Sequence, residues 1–335
     1  MLKLIASRLW QGIVVLLIVS ALTFALLAAA GGDALTALRG DPLMSDATIE
    51  GLRRVYDLDQ PLPVRYVRWL TRVASRDLGY SFFYHAPVSV ILWPRLRNTL
   101  LLALTALTLA WSVSLALGAW AARRRDSWID RLCGLVILLT ASTPRLVLAL
   151  AALVVAARTS FFVNSSSSVA ATGDAGGLLA RIMLPVLVLA VPLVALFLAQ
   201  TREGLRAALR EEFVEVARAK GLTERVVVVR HALRAALNPL ITIGGYSLGG
   251  AISGSVIVET VLGWPGLGEL SVVAVRSRDV PLLMAVVLVT STAVLAGNLL
   301  ADILLRANDP RLRLDERRPA TLGAATLSAV STPDA

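Results

Sequence analysis

The sequence predicts an all-α integral membrane protein with six transmembrane helices. Two observations predict this class. The 335-residue chain is 56% hydrophobic with a mean hydropathy of +0.72, and only 17% of its residues are charged, far from the average of soluble domains. In addition, six apolar runs are each long enough to cross about 30 Å of hydrocarbon at about 1.5 Å per residue. They cover approximately residues 9–30, 98–121, 132–157, 178–200, 240–258 and 280–305.

The first run, 9–30, is predicted to stay in the mature protein because no small-residue cleavage site follows it. Residues 31–97 then form a predicted periplasmic segment. Within it, 64–73 is amphipathic, with apolar side chains at helical spacing. Aromatic residues cluster near the end of the segment. Two interpretations stay open for this cluster: an interfacial aromatic belt, or a surface that receives a delivered substrate.

The basic residues predict the orientation of the chain. Eight Lys or Arg residues lie between 201 and 239 and five follow residue 305, whereas the short loops on the other side hold three. By the positive-inside rule, the N-terminal residues 1–8, the loop 201–239 and the tail 306–335 are predicted to be cytoplasmic. The net charge of +10 follows from this topology and attracts anionic lipid, so it does not indicate nucleic-acid binding. The end of the tail is predicted to be disordered.

The core, 98–305, carries five further spans and one unusual charge. Arg145 falls near the middle of the third run, where a charged side chain is expensive and normally faces a bundle interior or water. Two interpretations stay open: Arg145 lines a pathway, or it pairs with a partner subunit or reaches the membrane surface. The glycines of the fifth run are predicted to serve helix contacts. Pro144, Pro185 and Pro192 are predicted to kink their helices.

The loop 201–239 is dense in charge and is predicted to form two amphipathic helices that meet at Gly221. That glycine favours the left-handed conformation that ends a helix, and Thr223 is placed to cap the second helix. Helical spacing predicts one apolar stripe on each helix. The stripes are Leu209, Phe213, Val216 and Ala217 on the first helix, and Val226, Val229, Leu233 and Leu237 on the second. Such a pair predicts a rigid docking surface for another protein.

The same loop carries a recognisable motif. EVARAKG at 215–221, then nine residues and HALR at 231–234, resembles the Glu-Ala-Ala loop of ATP-binding-cassette (ABC) importer permeases. Other segments resemble the first permease subunit of dipeptide, oligopeptide and nickel importers. They are LDQPLPVRYVRWL (58–70), RDLGYSF (76–82), PVSVIL (87–92), RNTLLLA (97–103), ETVLGWPGLGEL (259–270) and NDPRLR (308–313). The loop departs from the family pattern at Val216, His231 and Arg234, and the second departure matches the peptide-permease branch.

The resemblance implies the type I ABC importer permease fold and a place in the bacterial inner membrane. It implies a pore-forming subunit for peptides that works with a second homologous permease, two cytoplasmic ABC ATPases and an extracytoplasmic solute-binding protein. The coupling helix would dock on an ATPase through Glu215, Ala217, Arg218, Lys220 and Gly221, flanked by Phe213 and Leu222. ATP and Mg²⁺ would bind the ATPases, so this chain is expected to bind no cofactor and to catalyse no reaction. It has no GxxxxGK[ST] phosphate loop.

Other functions stay open at this point. The same architecture would serve a nickel importer or an importer of another small solute. A secondary transporter or channel would explain six spans but not the coupling loop. A membrane enzyme would require a convergent set of acids, bases or metal ligands at one depth, and the sequence shows none.

Overall fold

The computed structural model describes residues 2–29, 60–158 and 175–308, together with Gly51, and confirms an almost entirely helical chain. The helices are α1 (Leu2–Ala29), α2 (Leu62–Ala74), α3 (Val88–Arg123), α4 (Trp128–Ser142), α5 (Arg145–Arg158), α6 (Ala175–Ala208), α7 (Glu212–Ala219), α8 (Glu224–Val226), α9 (Leu233–Leu262), α10 (Leu267–Arg276) and α11 (Val280–Asn308). A π-helix, Val227–Ala232, joins α8 to α9. Two short antiparallel strands, β1 (Tyr80–Ser81) and β2 (Ala86–Pro87), precede α3. The end of the tail that was predicted to be disordered lies outside the described residues.

Among the described residues, five helices contain a stretch that is long and apolar enough to cross a membrane: Ile5–Ala29, Val88–Arg123, Arg181–Ala208, Pro239–Leu262 and Val280–Arg306. A sixth crossing requires α4 and α5 together, and these two helices meet at an angle of 104°. The prediction of six spans is therefore confirmed if the bent pair counts as one. The third apolar run, 132–157, is two helices separated at Pro144, where the sequence predicted a kink in one helix.

The break in the third span lies at Thr143 and Pro144. Proline has no backbone N–H and disfavours helical geometry in the residue before it, and Thr143 is extended, with φ −103° and ψ 117°. The Ser142 and Thr143 hydroxyls donate to the carbonyls of Leu138 and Leu139 at 2.9 and 2.7 Å, which satisfies acceptors at the helix end. Arg145 consequently begins a new helix and does not lie inside one.

The core of the bundle lies where α9 crosses α3 and α6, and α11 packs on α9. We call the end that carries residues 209–223 the loop end, and the end that carries 76–87 and 263–279 the far end. Glycines let the helices approach closely, as predicted, at Gly244, Gly245 and Gly249, but Gly250 has no such neighbour. A Cβ added to Gly245 would lie 1.7 Å from the Cβ of Ala301, and one added to Gly249 would lie 2.8 Å from Val294 Cγ1. These glycines are therefore helix contacts between α9 and α11.

We expect Gly245→Ala to force α9 and α11 apart, because the new methyl group has no room against Ala301. Overpacking of this kind costs about 1–3 kcal/mol, so the unfolding temperature in detergent should fall. Gly250→Ala is the matched control on the same helix, since no atom lies within 4 Å of its added Cβ. Equal unfolding temperatures for the two variants would contradict the close contact.

Helix α1 lies at the edge of the bundle, against α11 and α2. Its Arg8 Nε lies 2.8 Å from Asp302 Oδ2 of α11. Ser20 Oγ and Tyr66 Oη share a hydrogen bond of 2.8 Å, which ties α1 to α2. The amphipathic segment predicted over 64–73 is thus a helix that packs beside the first span. Most large apolar side chains of α1 are exposed, as expected for a surface that faces lipid.

Candidate functional site

Most of the charged loop 201–239 continues the helices on either side of it, so only a short part forms a separate structure. Helix α6 continues past the apolar run to Ala208, and α8, the π-helix and α9 form one continuous helical path back into the bundle. Only residues 209–223 lie outside these continuous helices. They contain the eight-residue helix α7 (Glu212–Ala219) at the loop end.

Gly221, two residues after the end of α7, has the left-handed conformation, with φ 74°. Its N–H donates to Arg218 O at 2.9 Å. No atom lies within 4 Å of the position of an added Cβ, so within this chain the backbone conformation, not close packing, favours glycine. Thr223 precedes α8 in an extended conformation, but its side chain makes no capping bond, so that part of the prediction is wrong.

Arg218 closes the loop within the chain. Its Nε and Nη2 donate to the two carboxylate oxygens of Glu224 at 3.2 and 2.9 Å. This bidentate hydrogen bonding lowers the pKa of the Glu224 carboxyl below its usual value. The pair fastens the end of α7 to the start of α8, so Arg218 has a role inside the loop besides the predicted contact with an ATPase.

One face of α7 is buried. Val214 and Ala217 pack into a set of small and branched side chains from three spans, which we call the root cluster. Its other buried members are Ala122 of α3, Leu205 and Ala208 of α6, and Val227, Val228, Ala232 and Ala236 of the π-helix and α9. Because this cluster joins α7 to three spans at once, α7 cannot shift without moving their ends.

The opposite side of α7 exposes apolar side chains. Phe213 is 42% exposed and Val216 is 53% exposed, and Leu222 is exposed just beyond the helix. Glu215 and Lys220 are exposed as well. The predicted stripes are correct only in part. Leu209, Ala217, Leu233 and Leu237 pack against the bundle. Phe213, Val216, Val226 and Val229 are exposed, whereas Val214, Val227 and Val228, which were not in the stripes, are buried. Apolar residues occupy both faces of the short helix, and the π-helix changes the register of the second stripe.

A buried acid anchors the same end, and sequence reasoning missed it. Asp130, in the first turn of α4, lies 2.7 Å from Arg202 Nε and 2.6 Å from Arg206 Nη2, both on α6. The Asp126 N–H donates to the same carboxylate at 3.1 Å. The signal in the sequence was an aspartate after the helix-capping Ser127, followed much later by two arginines four residues apart. The network holds α4 to the end of α6 from which the loop 209–223 begins.

We expect Asp130→Asn to lower the free energy of unfolding by about 2 kcal/mol, because Arg202 and Arg206 lose their counter-charge and Arg206 also donates a hydrogen bond to it. Glu203→Gln is the matched control. Glu203 pairs with Arg206 at 3.2 Å but is mostly exposed, so its loss should cost well under about 1 kcal/mol. Unfolding of the purified chain in detergent measures both. A smaller effect for Asp130→Asn than for Glu203→Gln would contradict the anchoring role.

A second buried acid organises the far end. The Glu259 side chain is fully buried near the end of α9. It accepts hydrogen bonds from Thr99 Oγ1 at 2.7 Å and Ser255 Oγ at 2.8 Å, and from the N–H groups of Gly268 and Glu269 at 2.6 and 3.3 Å. The last two belong to the first turn of α10, where N–H groups lack helical partners. Glu259 thus caps α10 and ties it to α3.

The glycines of the segment GWPGLGEL, 263–270, fit around this carboxylate. Gly263 ends α9 in the left-handed conformation, with φ 66°. A Cβ added to Gly266 would lie 2.3 Å from the Glu259 carboxylate, and one added to Gly268 would lie 2.4 Å from Val256 Cα. The motif quoted from the sequence is therefore a cradle for Glu259, which the residue types alone did not reveal.

Asp279 plays a similar part at the start of α11. Its fully buried carboxylate accepts hydrogen bonds from Ser81 Oγ at 2.6 Å, from the Phe83 N–H at 3.1 Å and from the Leu282 N–H at 3.2 Å. It therefore caps α11 and holds the turn between β1 and β2 against that helix. Two buried acids, Glu259 and Asp279, therefore hold the helices and the β-turn of the far end together.

Arg145 lies beside Gly250 and Gly254 of α9. Its Nη1 is 3.5 Å from the carbonyl oxygen of Gly250, and a Cβ added to Gly254 would lie 1.9 Å from the same nitrogen. The side chain is partly buried. The structure thus does not bring Arg145 together with the predicted ATPase-contact residues of α7, and the two groups are separate candidate sites.

Over the residues described, the bundle has five spans and a bent helix pair that can serve as a sixth, and it has the type I fold of ABC importer permease subunits. The comparisons agree. Residues 114–314 match the family described as binding-protein-dependent transport system inner membrane component, and residues 1–103 match its N-terminal region. The chain belongs to this family, a non-catalytic component of ABC transporters.

The chain is also similar to individual members. It is 34% identical over 318 residues to a putative peptide permease protein of Brucella suis biovar 1, covering 94% of this chain and all of that one. It is 36% identical over 315 residues to a putative peptide transport system permease protein of Brucella abortus, with the same coverage. It is 35% identical over 311 residues to the oligopeptide transport system permease protein AppB of Bacillus subtilis, covering 92% of this chain and 98% of that one.

Among solved structures, the chain resembles the MetNI methionine ABC transporter, described in inward-facing conformations. The TM-score is 0.55 and the sequence identity is 16%, over 66% of this chain and 97% of that one. This likeness shows the fold. The predicted type I permease architecture is confirmed.

Proposed function

We propose that this chain is a permease subunit of an ATP-driven peptide importer and forms the translocation pathway together with a second, homologous permease. One observation carries the proposal: relatives that are 34–36% identical along 92–94% of the chain are named as peptide or oligopeptide permeases. A solute-binding protein outside the membrane delivers the peptide. Two ABC ATPases hold ATP and Mg²⁺ and catalyse hydrolysis, and this chain binds no cofactor.

In this proposal, α7 is the contact with an ATPase. The exposed side chains of Phe213, Val216 and Leu222 supply an apolar surface, and Glu215 and Lys220 supply charge. The buried side of α7 belongs to the root cluster. When the ATPases close on ATP, the force on α7 passes through that cluster to α3, α6 and α9. The subunit then alternates between two arrangements, each stabilised by a different state of the ATPases.

The loop end faces the cytoplasm in this proposal, as do both termini, and the protein lies in the bacterial inner membrane. The support is the excess of Lys and Arg in the loop that contains α7. The far end then faces the periplasm and the binding protein. Its buried acids Glu259 and Asp279 keep α10 and the β-turn in a fixed position for that contact.

Reconstitution tests the proposal. The chain is purified with its co-expressed second permease, its ATPases and its binding protein, and then inserted into lipid vesicles. ATP-dependent uptake of dipeptides, tripeptides and longer peptides is compared with uptake of Ni²⁺. Peptide uptake that requires ATP and the binding protein supports the proposal. Uptake of Ni²⁺ without peptide uptake, or uptake without an ATPase, would contradict it.

A further inference from the structure

A line of side chains along α9 is exposed but is not typical of a lipid-facing surface. It comprises Tyr246, Gly250, Ser253, Ile257 and Thr260, spaced four or three residues apart, which is one face of a helix. Three of the five carry hydroxyl groups. Along most of α1, by contrast, the exposed large side chains are Leu, Ile, Val and Trp. We call this line the α9 stripe.

Arg145 lies at the middle of the α9 stripe. Its guanidinium contacts the Gly250 carbonyl and lies over Gly254. The membrane-spanning part of α9 runs from Pro239 to Leu262. At an α-helical rise of about 1.5 Å per residue, Gly250 lies about 16 Å from one end and about 18 Å from the other. The guanidinium is therefore near the middle of the hydrocarbon, where an isolated charge is unfavourable.

Within the part of the chain that the structure describes, Arg145 forms no ion pair. Its polar contact is the 3.5 Å approach to Gly250 O. The acidic side chains of the described spans bind elsewhere: Asp130 to Arg202 and Arg206, Glu203 to Arg206, Asp302 to Arg8, and Glu259 to Thr99, Ser255 and α10. None of these acids therefore balances the charge of Arg145.

We propose that the α9 stripe and Arg145 line the translocation pathway, and that the Arg145 guanidinium binds the carboxylate of the passing peptide. This inference rests on the proposed function. A planar guanidinium matches a carboxylate with two parallel hydrogen bonds. Every peptide carries a C-terminal carboxylate whatever its sequence, so one fixed cation suits a carrier of many peptides. The hydroxyl groups of the stripe can bind water, and Gly250 leaves space for it beside Arg145.

The first test uses the complete reconstituted transporter and one tripeptide in two forms, with a free C-terminus and with a C-terminal amide. The measured quantity is the ratio of the two uptake rates. Selection by the binding protein affects wild type and variant equally, so it cancels when their ratios are compared. Arg145→Gln should lower the free-acid uptake about tenfold or more, the effect of one charged hydrogen bond, and leave the amide uptake nearly unchanged. Arg158→Gln, at the other end of α5, is the matched control and should leave the ratio unchanged.

The outcomes separate the two proposals. If the wild-type complex takes up peptide and Arg145→Gln lowers both forms equally, the carboxylate site is wrong and the proposed function stands. If Arg145→Gln releases the second permease during purification, the guanidinium pairs with that subunit and the inference is again wrong. If the wild-type complex takes up neither form, both proposals fail.

A second test addresses the stripe without altering Arg145. The chain has a single cysteine, Cys133, which is buried and is replaced by serine. A charged, membrane-impermeant thiol reagent should then modify Ser253→Cys, because water reaches the pathway and ionises the thiol. It should not modify Leu22→Cys, an exposed position on the apolar surface of α1. Absence of labelling at Ser253→Cys both with and without ATP would overturn the assignment of the stripe.

Discussion

Phe213→Asp is expected to abolish ATP-driven uptake while the chain still folds. Phe213 is 42% exposed on α7 and contributes nothing to the root cluster, so its replacement leaves the packing of the subunit intact. At a protein interface, a buried aromatic side chain contributes about 2 kcal/mol or more, and a carboxylate in its place adds the cost of desolvating a charge. The ATPases should therefore no longer co-purify, and uptake should fall at least about thirtyfold.

The matched control is Phe83→Asp, the same change at a residue that is 55% exposed at the far end. It should leave ATPase binding unchanged. Glu215→Lys and Gly221→Arg test the same surface by charge reversal and by bulk at the left-handed turn. If all three loop variants retain ATPase binding and full uptake, the assignment of α7 as the coupling helix is wrong.

Glu259→Ala should have the largest effect on stability. The substitution removes the fully buried acceptor of Thr99 and of two N–H groups of α10, and one of the two acceptors near Ser255, which also lies 2.9 Å from Ile252 O. Each buried donor left without a partner costs about 1–3 kcal/mol, so a total loss of about 3–5 kcal/mol is expected. The measurement is the amount of folded chain in the membrane and its unfolding temperature in detergent.

Glu269→Ala serves as the control, because its side chain pairs with Arg95 in a partly exposed position and its backbone N–H stays in place. It should lower stability by about 1 kcal/mol or less. Glu259→Gln keeps the shape and one carbonyl oxygen, so it should fall between the two alanine variants. If Glu259→Ala unfolds at the same temperature as Glu269→Ala, the capping role is contradicted.

The spans could be predicted because the membrane imposes a minimum apolar length, which one sequence window reveals. The break at Pro144 could not. Pro94, Pro185 and Pro192 lie inside continuous helices, so the residue type alone does not distinguish a kink from a break. Neighbouring helices can satisfy the backbone groups that a proline releases, and that context is absent from a local pattern.

The family motif of the loop 201–239 was recognised from its spacing, but about half of the residues in the two predicted apolar stripes are exposed. Helix α7 has eight residues, packs against the bundle on one side and exposes apolar side chains on the other. Its sequence therefore shows no single apolar stripe. The buried acids were missed for another reason. Asp130, Glu259 and Asp279 bind partners that lie up to 198 residues away, and each looks in the sequence like an ordinary polar residue.

Helix α9 joins the two ends of the subunit. Its first turns belong to the root cluster beneath α7, and Glu259 near its last turn holds α10. Its 30 residues make a rod about 45 Å long, so a tilt of about 10° would displace one end by about 8 Å relative to the other. A small rotation driven at one face of the membrane therefore has enough leverage to open or close a peptide-sized gap at the other.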